Sequence, residues 1–346
     1  RHLWVQIRRS SRIFLRWLEP LIQRLLRAYQ RDESIGVGFH PNRQSLTIVL
    51  LAGTLAYGCS SVTRDPPPPS PVSASYLRAA PMGPPLLESP LAAAEPEVVP
   101  ISRYDGLLNT PMLADEDFQR AVARWDAHWT GNGKSWLPVY LDRMAEWGMT
   151  VDSALADRGL PPSLRYLPVI ESGYSLRATS REGAVGLWQL MPPTGRTLGL
   201  EVTPLLDERR NPIKSTDAAM QFITDLNREF GSWFLTLAAY NAGPARVRQI
   251  LRFHAPGEPY SDSLFWALKD FFPVETQNYV PKLYSTIRVV ENAEAYGFEV
   301  PAAAPARYDI VHVAGLTSLT TISQAAGVSY DEVARLNPEF VLSLIH

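Results

Sequence analysis

The sequence is poor in the residues that form disulfides and transition-metal sites. Cys59 is the only cysteine among 346 residues, so no disulfide can form within the chain. The six histidines show no spacing typical of metal ligands. We therefore expect no metal site and no cofactor.

The sequence also lacks a large excess of charge of either sign. The net charge is -2 and 20% of the residues are charged, which is ordinary for a soluble globular protein. This balance gives no electrostatic reason to expect a nucleic-acid partner. We also expect a monomer.

The length allows one sizeable core and smaller modules. Patterns typical of β-strands are scarce before Tyr308.

Residues 1–41 contain no methionine and are rich in arginine, and the first methionine of the chain is Met82. We interpret this segment as read-through or another non-native extension, with the true start near Val37. Its leucines recur at helical spacing, so an amphipathic surface helix is the alternative. These leucines are Leu15, Leu18, Leu21 and Leu25. At the other end, we interpret residues 342–346 as a translated sequencing-adapter tail.

Residues 42–58 have the pattern of a bacterial lipoprotein signal peptide. Arg43 precedes a run of apolar and small residues that ends at Gly58, directly before Cys59. The run is shorter than the ~20 residues that a membrane-spanning helix needs. A short buried helix is the alternative. We predict lipidation of Cys59, and Ser60 after it favours the periplasmic face of the outer membrane of a Gram-negative bacterium.

Proline accounts for 30 residues and is concentrated just after this cysteine. Residues 59–101 lack a pattern that could form a core, and runs of proline resist both helix and sheet. We predict that this segment is an extended tether between a membrane anchor and a folded domain.

Residues 102–300 are predicted to form a mainly helical domain, because apolar residues recur at helical spacing from about Asp117 onward. Ser215 or Thr216 is a candidate for the N-terminal cap of one helix, and Gly231 is expected to end it. A further helix is expected from Trp233 and is interrupted at Gly243-Pro244.

Residues 307–341 have a different pattern, with a short β-like run followed by two short helices that end at Leu336-Asn337-Pro338. This small α+β segment resembles a LysM glycan-binding module. Gly315-Leu316-Thr317 stands where such modules usually carry Gly-Asp-Thr. The strand that normally closes the module is absent, and we interpret the segment as a truncated module.

Glu171 is a carboxylate at the end of an apolar run that contains Leu167, Val169 and Ile170. Loss of hydration disfavours the charged form and raises the pKa of a carboxyl group. A glutamate tuned in this way can hold a proton near neutral pH and deliver it as a general acid. Taken alone, however, it would be read as a surface glutamate at a helix end.

Three further segments carry polar residues next to glycine or proline. Gly183 and Gly186 surround an apolar segment that contains Gln189, which is both a donor and an acceptor. Tyr240 and Asn241 end an apolar helix. Each of these residues has an ordinary structural explanation when it is considered separately, as does Tyr279, which lies close to Pro281.

The order and combination of these motifs resemble the family 1 lytic transglycosylases over residues 118–294. The matching motifs are Glu171-Ser172-Gly173-Tyr174, Gly183-Ala184 with Gly186-Leu187-Trp188-Gln189, Ala239-Tyr240-Asn241-Ala242-Gly243 and Tyr279-Val280-Pro281-Lys282. The resemblance implies a lysozyme-like, mainly α catalytic domain of the goose-type lysozyme and soluble lytic transglycosylase kind. It also implies peptidoglycan glycan strands as the substrate.

By this resemblance, Glu171 is the single catalytic acid and base, and the product is a 1,6-anhydromuramic end. Gln189 and Tyr240 are expected to line the cleft, and Asn241 to hold the local hydrogen-bond network. Tyr279 is expected near Glu171. Ser180 matches a family position in the loop that enters the cleft.

Three questions stay open on the sequence alone. Glu182 is the next acidic residue after Glu171 and is either a second catalytic carboxylate or a solvated loop charge. Tyr174 and Trp188 are candidates for stacking on sugar rings, and a position in the core is the alternative for Trp188. A hydrolytic muramidase and a non-catalytic peptidoglycan-binding lipoprotein are the alternative functions.

Overall fold

The computed structural model describes residues 3–8, 105–313 and 317–341. Cys59, the apolar run before it and the proline-rich segment lie outside these residues, as do the leucines at helical spacing in the N-terminal extension. Within the described ranges, every helix is too short or too polar to cross a membrane. The described residues fall into two compact units. The larger unit contains residues 105–202 and 208–305, and the smaller unit contains residues 3–8, 203–207, 306–313 and 317–341.

The larger unit is built almost entirely from helices, which confirms the mainly helical prediction. Its α-helices are α1 (Glu116–Thr130), α2 (Leu137–Asp157), α3 (Leu167–Ser172), α4 (Pro192–Thr197), α5 (Pro212–Phe230), α6 (Trp233–Ala242), α7 (Pro244–His254), α8 (Asp262–Ala267) and α9 (Val274–Glu291). Short 3₁₀ turns lie at Pro111–Ala114, Pro162–Tyr166, Glu208–Arg210 and Lys269–Phe271.

An aromatic cluster fills the core where α1, α6, α8 and α9 meet. The ring of Phe118 lies 5.2 Å from that of Phe234, 5.1 Å from Trp266 and 5.2 Å from Tyr284, centre to centre. The pairs of Phe118 with Trp266 and Tyr284 are edge-to-face, and such pairs add to the free energy gained by burying apolar surface. This cluster fixes α9 against α1 and α6, and α9 carries several of the cleft residues described below.

The start of α5 differs from the prediction. Ser215 and Thr216 are buried inside the helix, and the cap is Asn211, whose side chain accepts from the N–H groups of Ile213 and Lys214. Pro212 fills the first helical position, where a missing N–H costs nothing. The predicted end is confirmed, because Gly231 adopts the left-handed conformation with φ 61°.

The smaller unit contains a two-stranded antiparallel sheet and two helices. Strand β1 (Leu3–Arg8) pairs with β2 (Tyr308–Val313), and α10 (Leu319–Ala326) and α11 (Tyr330–Leu336) follow. β1 lies in the segment predicted to be a non-native extension, where no strand was expected. The helices pack around an apolar cluster. Its buried members are Leu206, Leu319, Ile322, Ala326, Val333 and Phe340.

Candidate active site

Glu171 is the penultimate residue of α3, a helix of six residues whose apolar side chains are buried. Gly173 ends the helix in the left-handed conformation with φ 58°. Arg143 of α2 donates to the Gly173 carbonyl at 3.1 Å, and the Ser172 hydroxyl donates to the Leu187 carbonyl at 2.8 Å. The two flanking residues therefore hold the Glu171 backbone in place.

Residues 178–190 form a compact loop, the cleft loop, beside the end of α3. Isolated bridges join Val185 to both Thr179 and Leu190, and the Gly186 N–H donates to the Ala178 carbonyl at 2.9 Å. Gln189 has a φ of 47°, which is uncommon for a residue with a side chain. Such conformations persist where the surrounding structure holds them.

Arg209 fastens the cleft loop to the rest of the unit. Its side chain is only 5% exposed, and its guanidinium donates to the carbonyls of Gly183 and Leu190, each at 2.8 Å. Gly186 lies against the backbone of Arg209 with a φ of 82°. No side chain fits between the two backbones at this point, so Gly186 allows the loop to approach closely.

A cleft of about 470 Å³ opens beside Glu171, between α3, the cleft loop, α6 and α9. It brings together all six residues that were predicted for the site. These are Glu171, Ser180, Gln189, Tyr240, Asn241 and Tyr279. The volume lies in the range typical of ligand-binding clefts.

The carboxyl group of Glu171 is protonatable near neutral pH. Burial raises its pKa to about 7, and this outweighs the lowering by the hydrogen bond from Tyr279 and by the charge of Lys282. The Tyr279 hydroxyl donates to Glu171 Oε1. A nearby carboxylate, Glu275, raises the Glu171 pKa further. A group with this pKa can both donate and accept a proton near pH 7.

Gln189 and Tyr240 line the cleft and also stabilise the loop that forms one wall. Gln189 Nε2 donates to the Gly186 carbonyl at 2.8 Å, and the Tyr240 hydroxyl donates to the Trp188 carbonyl at 2.7 Å. Tyr240 thereby ties the end of α6 to the cleft loop.

Ser180 and Asn241 are both held by hydrogen bonds, Ser180 to backbone groups of the cleft loop and Asn241 to side chains of α9. The Ser180 hydroxyl accepts from the N–H groups of Glu182 at 3.2 Å and Ala184 at 3.0 Å. Asn241 accepts from the Thr276 hydroxyl at 2.7 Å and donates to Glu275 at 3.3 Å. Asn241 thus links the end of α6 to the first turn of α9.

Tyr174 and Trp188 both pack in the core, so the prediction that their rings stack on sugars is wrong. Tyr174 is 1% exposed and donates its hydroxyl proton to the Arg165 carbonyl at 2.7 Å. Trp188 is fully buried, and its indole N–H donates to the Thr216 hydroxyl at 2.9 Å. Neither ring lines the cleft.

Two further carboxylates, Glu182 and Glu275, line the cleft and are exposed. Only Glu275 is among the causes of the raised pKa of Glu171. The acidic residue that acts electrostatically on Glu171 is therefore on α9, and Glu182 of the cleft loop is not among these causes. In the parts of the chain that the structure describes, no group of His, Cys, Asp and Glu could hold a metal ion.

Sequence reasoning missed three residues that shape this cleft, namely Arg209, Glu275 and Lys282. Glu275 and Lys282 could have been found, because they stand four residues before and three residues after Tyr279 and so share its helix face. Arg209 left no such signal, since its partners lie 19 and 26 residues away in the sequence.

Comparison with known proteins supports the resemblance that the motifs suggest. Residues 150–256 match the family model described as the transglycosylase SLT domain. Over 206 residues the chain is 33% identical to membrane-bound lytic murein transglycosylase D of Escherichia coli strain K12. That alignment covers 59% of this chain and 45% of the relative, so the chain spans about half the length of this relative. The predicted resemblance to lytic transglycosylases is confirmed.

Two solved structures also align with the chain. Lytic transglycosylase Slt of Pseudomonas aeruginosa is 26% identical, with a TM-score of 0.34, over 46% of this chain and 26% of its own. The 70 kDa soluble lytic transglycosylase of Escherichia coli is 22% identical, with a TM-score of 0.39, over 57% of this chain and 32% of its own.

Proposed function

We propose that this protein is a peptidoglycan lytic transglycosylase that acts in cell-wall turnover. The observation that carries the proposal is the position of Glu171, a carboxyl group with a pKa of about 7 that opens into a cleft and accepts a hydrogen bond from Tyr279. The match of residues 150–256 to the transglycosylase SLT domain supports it. We propose a lysozyme-like framework for the larger unit.

In the proposed first step, the protonated Glu171 donates its proton to the glycosidic oxygen between N-acetylmuramic acid and N-acetylglucosamine. The bond from the anomeric carbon to that oxygen breaks, and the N-acetyl group of the substrate stabilises the developing cation. A fraction of Glu171 is protonated at neutral pH because burial holds its pKa near 7. Substrate assistance is a known exception to the use of two carboxylates.

In the second step, the carboxylate form of Glu171 removes the proton from the C6 hydroxyl of the muramic residue. The C6 oxygen bonds to the anomeric carbon and gives a 1,6-anhydromuramic end. One proton leaves Glu171 and one returns, and no water is consumed because the C6 hydroxyl of the substrate is the nucleophile. In this scheme Gln189 and Tyr240 position the sugar, Asn241 holds the local hydrogen-bond network and Tyr279 orients the carboxyl group. Ser180 belongs to the loop that enters the cleft.

A hydrolytic muramidase is the second candidate, because Glu275 brings another carboxylate into the cleft. It influences the Glu171 pKa and is hydrogen-bonded by Asn241. An inverting hydrolase needs a second carboxylate that activates water on the opposite face of the sugar. In that case water, and not the C6 hydroxyl, would attack the anomeric carbon.

Digestion of purified murein sacculi separates the two reactions. We expect mass spectrometry to find products with anhydro ends, each lighter by one water than the corresponding reducing end. The rate should fall as the pH rises through about 7, because the first step needs protonated Glu171. Reducing ends as the main product would establish hydrolysis, and no cleavage by folded protein would favour a binding protein.

We further propose that Cys59 carries a lipid anchor at the periplasmic face of the outer membrane, with residues 59–101 as the tether. The apolar run that ends before this cysteine supports the proposal. Residues 307–341 are proposed to be a LysM-like peptidoglycan-binding module, on the strength of their strand–helix–helix order.

Replacing Cys59 with Ala should move the protein from the membrane fraction to the soluble fraction of cells. The replacement should also abolish incorporation of labelled palmitate, because a single cysteine is available for acylation. Ser60→Ala is the matched control and should keep the label. Labelled Cys59→Ala protein would contradict the anchor.

A further inference from the structure

Lys282 is a lysine in an unusual place, because its side chain is only 9% exposed and yet lines the cleft. Its ammonium group donates to the Ile170 carbonyl at 3.2 Å and lies 5.4 Å from the centre of the Trp125 ring. Ile170 directly precedes Glu171 in α3. The positive charge is therefore held next to the backbone that carries the carboxyl group.

We propose that Lys282 is a positioning residue for Glu171, which holds the end of α3 through the Ile170 carbonyl and stabilises the carboxylate that forms between the two steps. This inference rests on the proposed transglycosylase function. An apolar side chain of similar length would fill the same space at a smaller desolvation cost. We therefore attribute the buried charge of Lys282 to its electrostatic effect on a neighbouring group.

The groups around Lys282 identify that neighbour. Glu171 approaches it from α3, Glu275 and Tyr279 lie on its own helix, and Trp125 and His128 face it from α1. Asp126 of α1 is engaged elsewhere, with the Ser285 hydroxyl and the Arg288 guanidinium.

The electrostatics agree with this geometry. Burial lowers the pKa of Lys282 to about 8, and the charges of Glu171 and Glu275 oppose that shift. The Lys282 charge in turn lowers the pKa of Glu171. The pKa of His128 is lowered mainly by burial and, to a smaller extent, by the Lys282 charge. Lys282 thus limits how far burial can raise the Glu171 pKa.

The role fits the demands of the proposed reaction. Glu171 must give up its proton in the first step and recover one in the second, so both protonation states are needed in the same cleft. Burial alone would favour the protonated form too strongly. A fixed positive charge close by favours release of the proton and stabilises the intermediate state.

Charge and hydrogen bonding can be separated by three substitutions. Lys282→Met removes both the charge and the donor, Lys282→Gln keeps a donor without charge, and Lys282→Arg keeps the charge. Lys134→Met is the control, since Lys134 is exposed and lies over the Phe298 ring, away from the cleft lining. The readout is the pH dependence of kcat and KM on soluble glycan strands, with circular dichroism to verify folding.

We expect the alkaline limb of kcat to move upward by about one pH unit in Lys282→Met and Lys282→Gln, because a nearby opposite charge lowers a carboxyl pKa by about that much or more. Lys282→Arg and Lys134→Met should keep the limb where it is in the wild type. A lower kcat with the alkaline limb at its wild-type pH would show that Lys282 acts only by packing. A raised KM with an unmoved limb would make it a substrate contact, and either result overturns the proposal.

A titration that needs no turnover decides the matter if the Lys282 variants do not fold. In Glu171→Gln, the pKa of Lys282 measured by carbon-13 NMR after methyl labelling should fall, because the coupling between two sites is reciprocal. An unchanged Lys282 pKa would overturn the proposal. If the Lys282 pKa falls in Glu171→Gln but the wild-type protein forms no anhydro ends, the coupling stands and the proposed function is rejected.

Discussion

Glu171→Gln should reduce the release of anhydro-muropeptides from sacculi by about 10³-fold, because general acid–base catalysis commonly contributes 10²–10⁴-fold and Glu171 is used in both steps. Glutamine keeps the size of the side chain and can still pair with the Tyr279 hydroxyl, but it cannot transfer a proton. The measurement is the initial rate of soluble product formation, quantified by mass spectrometry.

The matched control is Glu258→Gln, an exposed glutamate away from the cleft, which should retain the wild-type rate. Release of anhydro products by Glu171→Gln at the wild-type rate would remove Glu171 from the mechanism. An equal loss in Glu275→Gln would instead indicate a reaction that needs two carboxylates.

Glu171→Gln should also be more stable than the wild type at neutral and alkaline pH. The native pKa of Glu171, about 7, lies above its ordinary value of 4.5, so the native state holds a proton that the unfolded chain has lost. This contribution to stability is fully present below pH 4.5 and is lost as the pH rises through about 7. The advantage of Glu171→Gln should therefore grow over that interval and then level off. A difference in Tm that does not change with pH would contradict the raised pKa.

Gly186→Ala should lower the free energy of unfolding by on the order of 3 kcal/mol, because two costs add at this position. A φ of 82° is strained for any residue with a Cβ atom. The new Cβ would also overlap the carbonyl oxygen of Arg209, and its distance to the carbonyl carbon would be 2.8 Å. Backbone atoms cannot rotate away as a flexible side chain could.

Gly257→Ala separates the two costs. Gly257 has a φ of 83°, and no atom lies within 4 Å of its added Cβ. We expect this control to lose only about 1 kcal/mol, the cost of the backbone conformation alone. Urea denaturation of both variants measures the difference. Equal losses would show that Gly186 is needed only for its φ angle and not for its close approach to Arg209.

Short-range pattern was enough for much of the fold and for Glu171 as a candidate acid, whereas the other members of the site were predicted from the resemblance of the motifs to the family 1 lytic transglycosylases. The helical period of the apolar residues predicted a mainly helical domain, and Gly231 predicted where α5 ends. The predicted start of α5 was wrong, because Ser215 and Thr216 are also good capping residues. The stronger capping signal is Asn211 followed by Pro212.

The sequence by itself determined that acid–base chemistry is possible at Glu171, because a carboxyl group at the end of an apolar run loses hydration to its own neighbours in the chain. Glu171 follows four buried residues of its own helix, so the direction of its pKa shift was readable from neighbours in the chain.

Only the tertiary structure decided which charges act on that acid and which aromatic rings reach the cleft. Lys282 and Glu275 come from a helix more than 100 residues later, and Trp188 points into the core although it precedes a cleft residue. The physical reason is that charge–charge energies depend on distance in space, and burial depends on what packs from the other side. For Lys282, Glu275 and Trp188, neither quantity could be read from the residues adjacent to them in the chain.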